Sequence, residues 1–411
     1  MPQKQSLSVR LLYGCDQEFC CEVESRRVAV FRPGPEGIGN AVEAIKRAFG
    51  SPIELPTLDQ ALVPDDRVVI ALERHTPCSA ELIAEIWCWL ERRGIAADCV
   101  TILQPADIET QPPADPRRLL PAPIRSGMGW KIHDPTDEQS CAYLATNSGG
   151  ERIYLAKELV EADFVLPVGM TAFDPLLGYR GTHSVIYPGL ATVDAVARAI
   201  GQGHRELAPR DLRPLRQLVD EIAWLMGIQF VVQVVADKGN GLVDAVTGNS
   251  ETVFERCRQI VDDHWLISLP ARVETVVIAV QQDASGHGWK QIGQALATAR
   301  QLVEAGGRIV ILSEITGEPG EGLSLLQSCE EPLDALQPLR ELRPPDLFVA
   351  SQLAGATDWA RVYMLSGLQP GLVEDLFMFP LESTREVERL VASAESCALI
   401  GAAQQTFGMV D

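Results

Sequence analysis

The spacing of apolar residues along the chain changes between two periods, one typical of strands and one typical of helices. Residues 7–31 alternate apolar and polar side chains, which predicts an N-terminal β-hairpin. From residue 67 onward, short apolar runs alternate with amphipathic stretches of helical period. This order predicts an α/β protein, because parallel strands need a crossover between them and a helix usually supplies it.

The first strand–helix–strand unit is predicted over residues 67–103. Apolar runs at both ends of this segment have the length and composition of buried parallel strands. Ser79 is the predicted cap of a helix that continues to Arg93, and Gly94 follows where helices commonly end. Residues 67–103 are therefore expected to form one β–α–β unit.

Similar patterns predict the other elements. The predicted strands are 164–168, 230–235, 274–280, 308–312, 346–350 and 361–365, and the predicted helices are 155–161, 190–200, 212–227 and 290–305. The turn at 237–241 predicts a hairpin, and the proline-rich residues 104–128 predict a long surface loop. We expect two α/β domains, 1–270 and 271–411, with the last residues able to pack back on the first domain.

The glycine-punctuated loop at 178–189 is the most informative segment, with the sequence Gly-Tyr-Arg-Gly-Thr-His-Ser-Val-Ile-Tyr-Pro-Gly. It lies between a predicted strand and a predicted helix, where small residues let backbone N–H groups approach a cofactor or an anion. The loop resembles a segment of the nickel-pincer lactate racemases, Gly-Phe-Ser-Gly-Gly-x-Lys-Ser-Ile-Leu-Pro-Gly, whose lysine carries the cofactor. That lysine falls on Ser184 in this chain.

The resemblance to this family continues in order along most of the chain. The segments that carry it are 73–77, 133–134, 143–145, 161–163, Gly169, 291–296 and 306–307. Each segment is short, but their shared order and spacing imply the family's fold. The resemblance therefore implies two α/β domains of the lactate racemase type with an interdomain cleft.

The same resemblance implies a chemistry whose residues are mostly replaced here. In the family, nickel in a thiolated pyridinium nucleotide accepts hydride, and two histidines move the hydroxyl proton. One histidine position holds Asp174, and the metal-binding histidine position holds Ile200. The arginine and lysine that bind the substrate carboxylate fall on Thr76 and Gln294. Since the lysine position is Ser184, a bound nickel-pincer nucleotide is expected to lack the covalent link.

Residues in the matching segments are candidates for the missing roles. The catalytic candidates are Asp174, His183 and His204, and His204 is also the candidate metal ligand. The cofactor-binding candidates are Glu73, Thr76, Gly178, Arg180, Gly181, Ser184, Pro188 and Gly189. The substrate-binding candidates are Gln291 and Gln294.

Each candidate side chain also has a structural alternative. Asp174 precedes a proline in a common turn pair, and His183 fits a loop residue bonded to backbone. His204 fits a solvent-facing residue at a helix end. Arg180 fits either a carboxylate or phosphate ligand or an exposed loop arginine.

Composition and charge exclude several classes of function. The net charge of −21, with no basic cluster to offset it, argues against binding to nucleic acid or to anionic membranes. No apolar run approaches the length of a membrane span, and the first residues lack the apolar core of a signal peptide. The ten cysteines lack CxxC spacing and are predicted to be reduced and mostly buried, in a cytoplasmic protein.

Two main hypotheses about function follow. The first is a divergent racemase or epimerase that acts on a 2-hydroxy acid or a related polar compound, with the nickel-pincer nucleotide bound non-covalently. The second is a non-catalytic ligand-binding or regulatory protein that kept the fold. An unrelated chemistry that uses Asp174, His183 and Arg180 is a third alternative. In each case the expected partner is a small polar or anionic molecule.

Overall fold

The computed structural model describes residues 6–106, 114–200, 208–211, 213–283 and 286–411, without the side chains of Glu138 and Ile200. The chain divides into two compact units. Residues 37–262 form the middle unit, and residues 1–36 together with 263–411 form the terminal unit.

The strands are named in chain order. They are β1 (Ser6–Tyr13), β2 (Gln17–Glu24), β3 (Val28–Arg32), β4 (Val68–Leu72), β5 (Val100–Gln104), β6 (Gly129–Ile132), β7 (Cys141–Thr146), β8 (Arg152–Ala156), β9 (Phe164–Met170), β10 (Ala172–Asp174), β11 (Gly178–Arg180), β12 (Phe230–Ala236), β13 (Leu242–Asn249), β14 (Leu266–Leu269), β15 (Val273–Ala279), β16 (Val303–Leu312), β17 (Arg361–Leu365), β18 (Phe379–Leu381), β19 (Cys397–Ile400) and β20 (Phe407–Val410).

The helices are named in the same way. They are α1 (Ala41–Gly50), α2 (Ser79–Arg93), α3 (Ala122–Gly127), α4 (Lys157–Glu161), α5 (Val193–Ile200), α6 (Pro214–Leu225), α7 (Ser250–Trp265), α8 (Trp289–Leu302), α9 (Glu321–Gln327), α10 (Leu336–Leu342), α11 (Leu347–Trp359), α12 (Pro370–Asp375) and α13 (Thr384–Ser393).

The middle unit is built on a six-stranded sheet in the order β13-β12-β9-β4-β5-β6. All neighbours are parallel except β12 and β13, which form the hairpin predicted at 237–241. The Asp237 carboxylate fixes this turn by accepting hydrogen bonds from the backbone N–H groups of Gly239 and Gly241. Strand β4 is fully buried, and the apolar face of α2 packs in the same core. The predicted β–α–β unit at 67–103 is confirmed.

The terminal unit contains a second six-stranded sheet, β18-β17-β16-β15-β19-β3, in which every neighbouring pair is parallel. Helix α8 connects β15 to β16, which confirms the strand–helix–strand unit predicted in the second half of the chain. The predicted N-terminal hairpin is also confirmed as β1 and β2, whose apolar side packs against this sheet.

Membership of the two units differs from the predicted domains 1–270 and 271–411. Strand β3 pairs with β19, so the first 36 residues belong with the C-terminal part of the chain. The last strand, β20, pairs with β14 in the terminal unit and not with the first part of the chain. Sequence periodicity misses both pairings because it carries no information on which distant strands pair.

Some local predictions are wrong. Residues 346–350 begin helix α11, not a strand, because their apolar run continues as a thirteen-residue helix whose buried side chains include Leu353 and Ala354. Cys78, in a left-handed conformation, holds the cap position of α2, and Ser79 is the first helical residue. Residues 155 and 156 end β8 before helix α4 begins. The predicted loop at 104–128 contains α3.

All ten cysteines are free thiols, but the expectation that most are buried is wrong. Only Cys257 and Cys397 are fully buried, and Cys15, Cys20 and Cys88 are exposed. In the part of the chain that the structure describes, no helix has both the length and the apolar content needed to cross a bilayer.

Candidate functional site

The carboxyl ends of β4 and β9 lie next to each other along one edge of the sheet in the middle unit. These two strands are neighbours, but the chain leaves β4 toward β5 on one side and returns through β9 on the other. Open α/β sheets bind ligands at such a topological switch point, because the loops diverge there. The loop after β4 begins with Glu73, and the chain after β9 continues into the β10–β11 hairpin.

Glu73 and Arg180 form an ion pair at this edge. One Glu73 oxygen accepts a hydrogen bond of 2.6 Å from the backbone N–H of Met170, and the other lies 3.3 Å from Nη1 of Arg180. Only 20% of the Arg180 side chain is exposed, so the interpretation of an exposed loop arginine does not hold. Nε of Arg180 is buried and has no hydrogen-bond partner among the described residues.

Two of the predicted glycines are required by their backbone conformation and by close neighbours. Gly178 has φ +76°, and a Cβ there would lie 2.2 Å from the Pro209 carbonyl oxygen. Gly181 has φ +129°, and a Cβ there would lie 2.6 Å from Oγ1 of Thr171. Both glycines therefore let the loop pack against the rest of the middle unit.

Ser184, at the family's lysine position, closes a turn with Gly181. Its hydroxyl oxygen accepts a hydrogen bond of 2.9 Å from the N–H of Gly181, and its own N–H donates to the Gly181 carbonyl at 3.2 Å. Between them, Thr182 is buried with φ +49°, a left-handed conformation that is unfavourable for a β-branched residue. The hydroxyl of Ser184 thus takes part in a turn within the loop.

His183 is buried and contacts a carboxylate of helix α6. Its Nδ1 lies 3.4 Å from Oδ1 of Asp220, so the partner is a carboxylate and not the backbone. Burial opposes ionisation of Asp220, but the hydrogen bond with His183 and the charge of Arg216 outweigh it and hold the pKa of this carboxyl below its usual value. Nε2 of His183 is buried and has no hydrogen-bond partner within the described part of the chain.

Asp174 and Thr76 serve local turns. The Asp174 carboxylate accepts hydrogen bonds of 2.8 Å from the N–H groups of Leu176 and Leu177 and so closes the β10–β11 turn. The Thr76 hydroxyl donates to the Glu73 carbonyl at 2.8 Å. These contacts match the turn alternative for Asp174.

The end of the loop also has structural contacts. The Pro188 carbonyl accepts a hydrogen bond from the N–H of Ala191. A Cβ at Gly189 would lie 3.1 Å from Cβ of Pro105, so the loop packs closely against the end of β5. His204 lies outside the described residues.

Gln291 and Gln294 lie on α8 in the terminal unit. The side-chain oxygen of Gln291, which is fully buried, accepts a hydrogen bond of 3.0 Å from the N–H of Gly288 and caps the start of the helix. Gln294 is half-buried. Their predicted role in substrate binding stays a prediction.

The structure adds partners that the sequence analysis did not select. Asp220 and Arg216 form a pair four residues apart on α6, and Gln233 accepts a hydrogen bond from the Thr171 hydroxyl beneath the loop. The i, i+4 spacing of Arg216 and Asp220 is visible in the sequence, but nothing local links the pair to His183. Among the described residues, no three His, Cys, Asp or Glu side chains are grouped so that they could hold a metal ion.

Comparison with known proteins gives a consistent result. Residues 13–207 match the family model described as the lactate racemase N-terminal domain. A lactate racemase from Thermoanaerobacterium thermosaccharolyticum is 22% identical over 280 residues, which cover 64% of this chain and 64% of that protein. The match thus spans less than two thirds of this curated relative.

Solved structures show the same fold. The lactate racemase apoprotein of Thermoanaerobacterium thermosaccharolyticum superposes with a TM-score of 0.81 at 17% identity, covering 98% of this chain and all of that one. A protein from Thermotoga maritima superposes with a TM-score of 0.67 at 12% identity, covering 92% of this chain and all of that one.

Proposed function

Because this chain is a divergent relative of the lactate racemase family, with the family's N-terminal domain over residues 13–207, we propose that it binds a small anionic molecule at the strand ends of the middle unit. We further propose that it does so without the family's tethered nickel-pincer nucleotide and without rapid racemisation of lactate.

The observation that carries this proposal is a pair of buried polar atoms on one loop. Nε of Arg180 and Nε2 of His183 each have no hydrogen-bond partner among the described residues. Buried polar atoms in folded proteins are nearly always bonded, so such atoms point to a ligand, an ion or a water. Arg180 carries a positive charge, and a carboxylate or phosphate oxygen is the acceptor that a guanidinium binds best.

The residues present do not fit the tethered form of the family's cofactor. Position 184 offers a hydroxyl in place of the amine that forms the family's covalent link, and this hydroxyl accepts a hydrogen bond from Gly181. The family's metal-binding position holds Ile200, whose side chain has no atom that can ligate a metal. We therefore assign no step of any reaction to that group.

Ligand binding is tested by calorimetric titration of the full chain with L-lactate, D-lactate and inorganic phosphate. We expect Arg180→Ala to weaken binding at least tenfold, because a hydrogen bond to a charged group contributes about 1.5–3 kcal/mol. The matched control is Arg47→Ala, which removes an exposed arginine of α1 in the same unit. Equal affinity of the two variants, or no binding by the wild-type chain, would refute the proposed site.

The absence of a tether is tested by intact mass spectrometry after co-expression with enzymes that synthesise the pincer nucleotide. We expect the mass of the bare chain, and an adduct that maps to 178–189 would overturn this part of the proposal.

Racemisation is tested separately. The protein, nickel and the synthesised nucleotide are incubated with L-lactate, and D-lactate is followed by chiral chromatography. We expect very slow conversion or none, because positioned proton transfer contributes about 10²–10⁴-fold and Asp174 stands at one of the family's two proton-transfer histidine positions.

A second candidate function is an isomerase, that is, a racemase or epimerase of a 2-hydroxy acid or a related polar compound. The contact between His183 and Asp220 supports it, because a histidine held by a carboxylate is a common arrangement for a general base. Under this hypothesis, Nε2 of His183 exchanges a proton with the bound molecule. If the wild-type chain isomerises a 2-hydroxy acid, His183→Gln should lose this turnover while it still binds the compound. A His183→Gln variant that keeps the turnover would exclude His183 as the proton-exchanging group.

A further inference from the structure

Arg216 on helix α6 holds the carboxylate of Asp220 with two parallel contacts. Its Nη2 lies 2.6 Å from Oδ1 of Asp220, and its Nε lies 3.0 Å from Oδ2. Such bidentate pairs fix the orientation of both groups, since two hydrogen bonds share one plane. The same Oδ1 is the atom that contacts Nδ1 of His183.

The same guanidinium also holds the backbone on the N-terminal side of His183. Nη1 of Arg216 donates to the Gly181 carbonyl and Nη2 donates to the Thr182 hydroxyl, both at 3.2 Å. The group packs over the ring of Phe254 at 4.1 Å, and only 13% of the Arg216 side chain is exposed. Arg216 therefore holds the loop at Gly181 and Thr182, and it also holds the Asp220 carboxylate that contacts His183.

This arrangement decides which nitrogen of His183 carries the proton. An ionised carboxylate only accepts hydrogen bonds, so the neutral imidazole donates through Nδ1–H and keeps the lone pair on Nε2. We propose that Arg216 and Asp220 are positioning residues that hold the Nδ1–H tautomer of His183 and present the buried Nε2 as a proton acceptor in the site. The ligand group that matches this atom is an O–H or N–H donor, and this last step rests on the proposed function.

A purely structural role for the two residues would anchor the loop to α6 without controlling the imidazole. Asp220→Asn separates the two roles. An amide has one oxygen, which Arg216 is expected to take, so the NH₂ group faces Nδ1 and forces it to become an acceptor. The proton then moves to Nε2, while the size of the side chain and the hydrogen bond from Nε of Arg216 are kept.

The experiment is ¹⁵N NMR of the imidazole nitrogens in the ligand-free full chain. It is recorded well above the ordinary histidine pKa of about 6.5 so that the rings are neutral. The His183 signals are those lost in His183→Gln. We expect wild-type His183 to be protonated at Nδ1 and the Asp220→Asn variant at Nε2. A wild-type Nε2–H tautomer, or an unchanged tautomer in Asp220→Asn, would overturn the inference.

A second comparison tests Arg216 with a conservative rescue. Arg216→Met keeps an unbranched side chain without the charge and should give a mixture of His183 tautomers, whereas Arg216→Lys should partly restore the Nδ1–H form. Glu161→Gln, which removes the exposed i, i+4 partner of Lys157, is the control and should leave His183 unchanged. Equal spectra for Arg216→Met and wild type would refute the role of Arg216.

Because these spectra need no ligand, they fail or succeed separately from the calorimetric titration. A tautomer change in Asp220→Asn together with no ligand binding by wild type would leave the positioning inference standing and refute the proposed function. Wild-type binding that is lost in Arg180→Ala, together with an unchanged tautomer in Asp220→Asn, would support the proposed function and refute the positioning inference.

Discussion

His183 in the middle unit and His287 in the terminal unit are both histidines with one ring nitrogen bonded and the other buried without a described partner. The bonded nitrogens have opposite partners. Nδ1 of His183 contacts the carboxylate of Asp220, whereas Nε2 of His287 accepts a hydrogen bond of 2.9 Å from the N–H of Glu314. The first partner requires a proton on the bonded nitrogen, and the second forbids it.

The difference shows that the fixed partner of one nitrogen decides what the other nitrogen can do. In His287, the neutral ring must carry its proton on Nδ1, because a backbone N–H can only donate. Burial lowers the pKa of His287 and outweighs the opposing charges of Glu314 and Asp283, so the neutral form is favoured. His183 has the inverse arrangement and presents a lone pair. His287 thus serves as a structural acceptor, whereas the proposed tautomer of His183 would suit a base in the site.

The largest expected effect comes from removing the loop geometry around His183. Gly181→Ala should cost about 2–5 kcal/mol of stability, because it combines a backbone conformation unfavourable for alanine with a methyl group forced against Oγ1 of Thr171. Hydrogen exchange of the β12 amides measures this loss in the middle unit alone. The control is Gly39→Ala, where no atom would lie within 4 Å of the new Cβ and the change should stay within about 0.5 kcal/mol. Equal exchange in the two variants would contradict the packing argument.

The next effect tests the structural role of His287. His287→Leu removes Nε2, which accepts the hydrogen bond from the Glu314 N–H and also contacts the Ser313 hydroxyl. The loss should lower the free energy of unfolding by about 1–3 kcal/mol. His287→Gln keeps a side-chain oxygen that can accept from the same N–H and should cost less. Hydrogen exchange of the β16 amides measures the loss in the terminal unit. Equal exchange in the two variants would show that these hydrogen bonds contribute little.

His287 should also make the stability of the terminal unit depend on pH. Because the pKa of His287 is lowered in the folded chain, the unfolded chain binds more protons once the pH falls below its ordinary value of about 6.5. The terminal unit should therefore lose stability as the pH decreases through that value toward the folded pKa. The loss should be smaller in His287→Gln, as followed by hydrogen exchange of β16 at several pH values. An identical pH dependence in both proteins would exclude His287 as its source.

The parts of this structure that the sequence predicts are those set by local patterns. Apolar runs with an intervening amphipathic segment identified both strand–helix–strand units, because burial and helical period act within a few residues. The pairing of β3 with β19 joins segments more than 360 residues apart, and no local pattern encodes it.

The candidate site divides in the same way. His183, Arg180 and Gly181 were selected because a glycine-rich loop between a strand and a helix is a local signal. Asp220 was missed because its contact with His183 spans 37 residues and depends on how α6 packs. Asp174 was selected as a substitute base from its position alone, and its hydrogen bonds to Leu176 and Leu177 were not predictable from it.

The smallest expected effect concerns Asp174 and separates a turn residue from a base. Asp174→Ala removes the acceptor for two backbone N–H groups of the β10–β11 turn and should cost about 1 kcal/mol. Asp174→Asn keeps a side-chain oxygen at the same place and should be nearly neutral. Neither change should alter calorimetric binding of inorganic phosphate, because Asp174 does not contact Arg180 or His183 in any described hydrogen bond or ion pair. A stable Asp174→Asn variant that has lost ligand binding or turnover would instead place this carboxylate in the chemistry of the site, and His183 would then not be its only base.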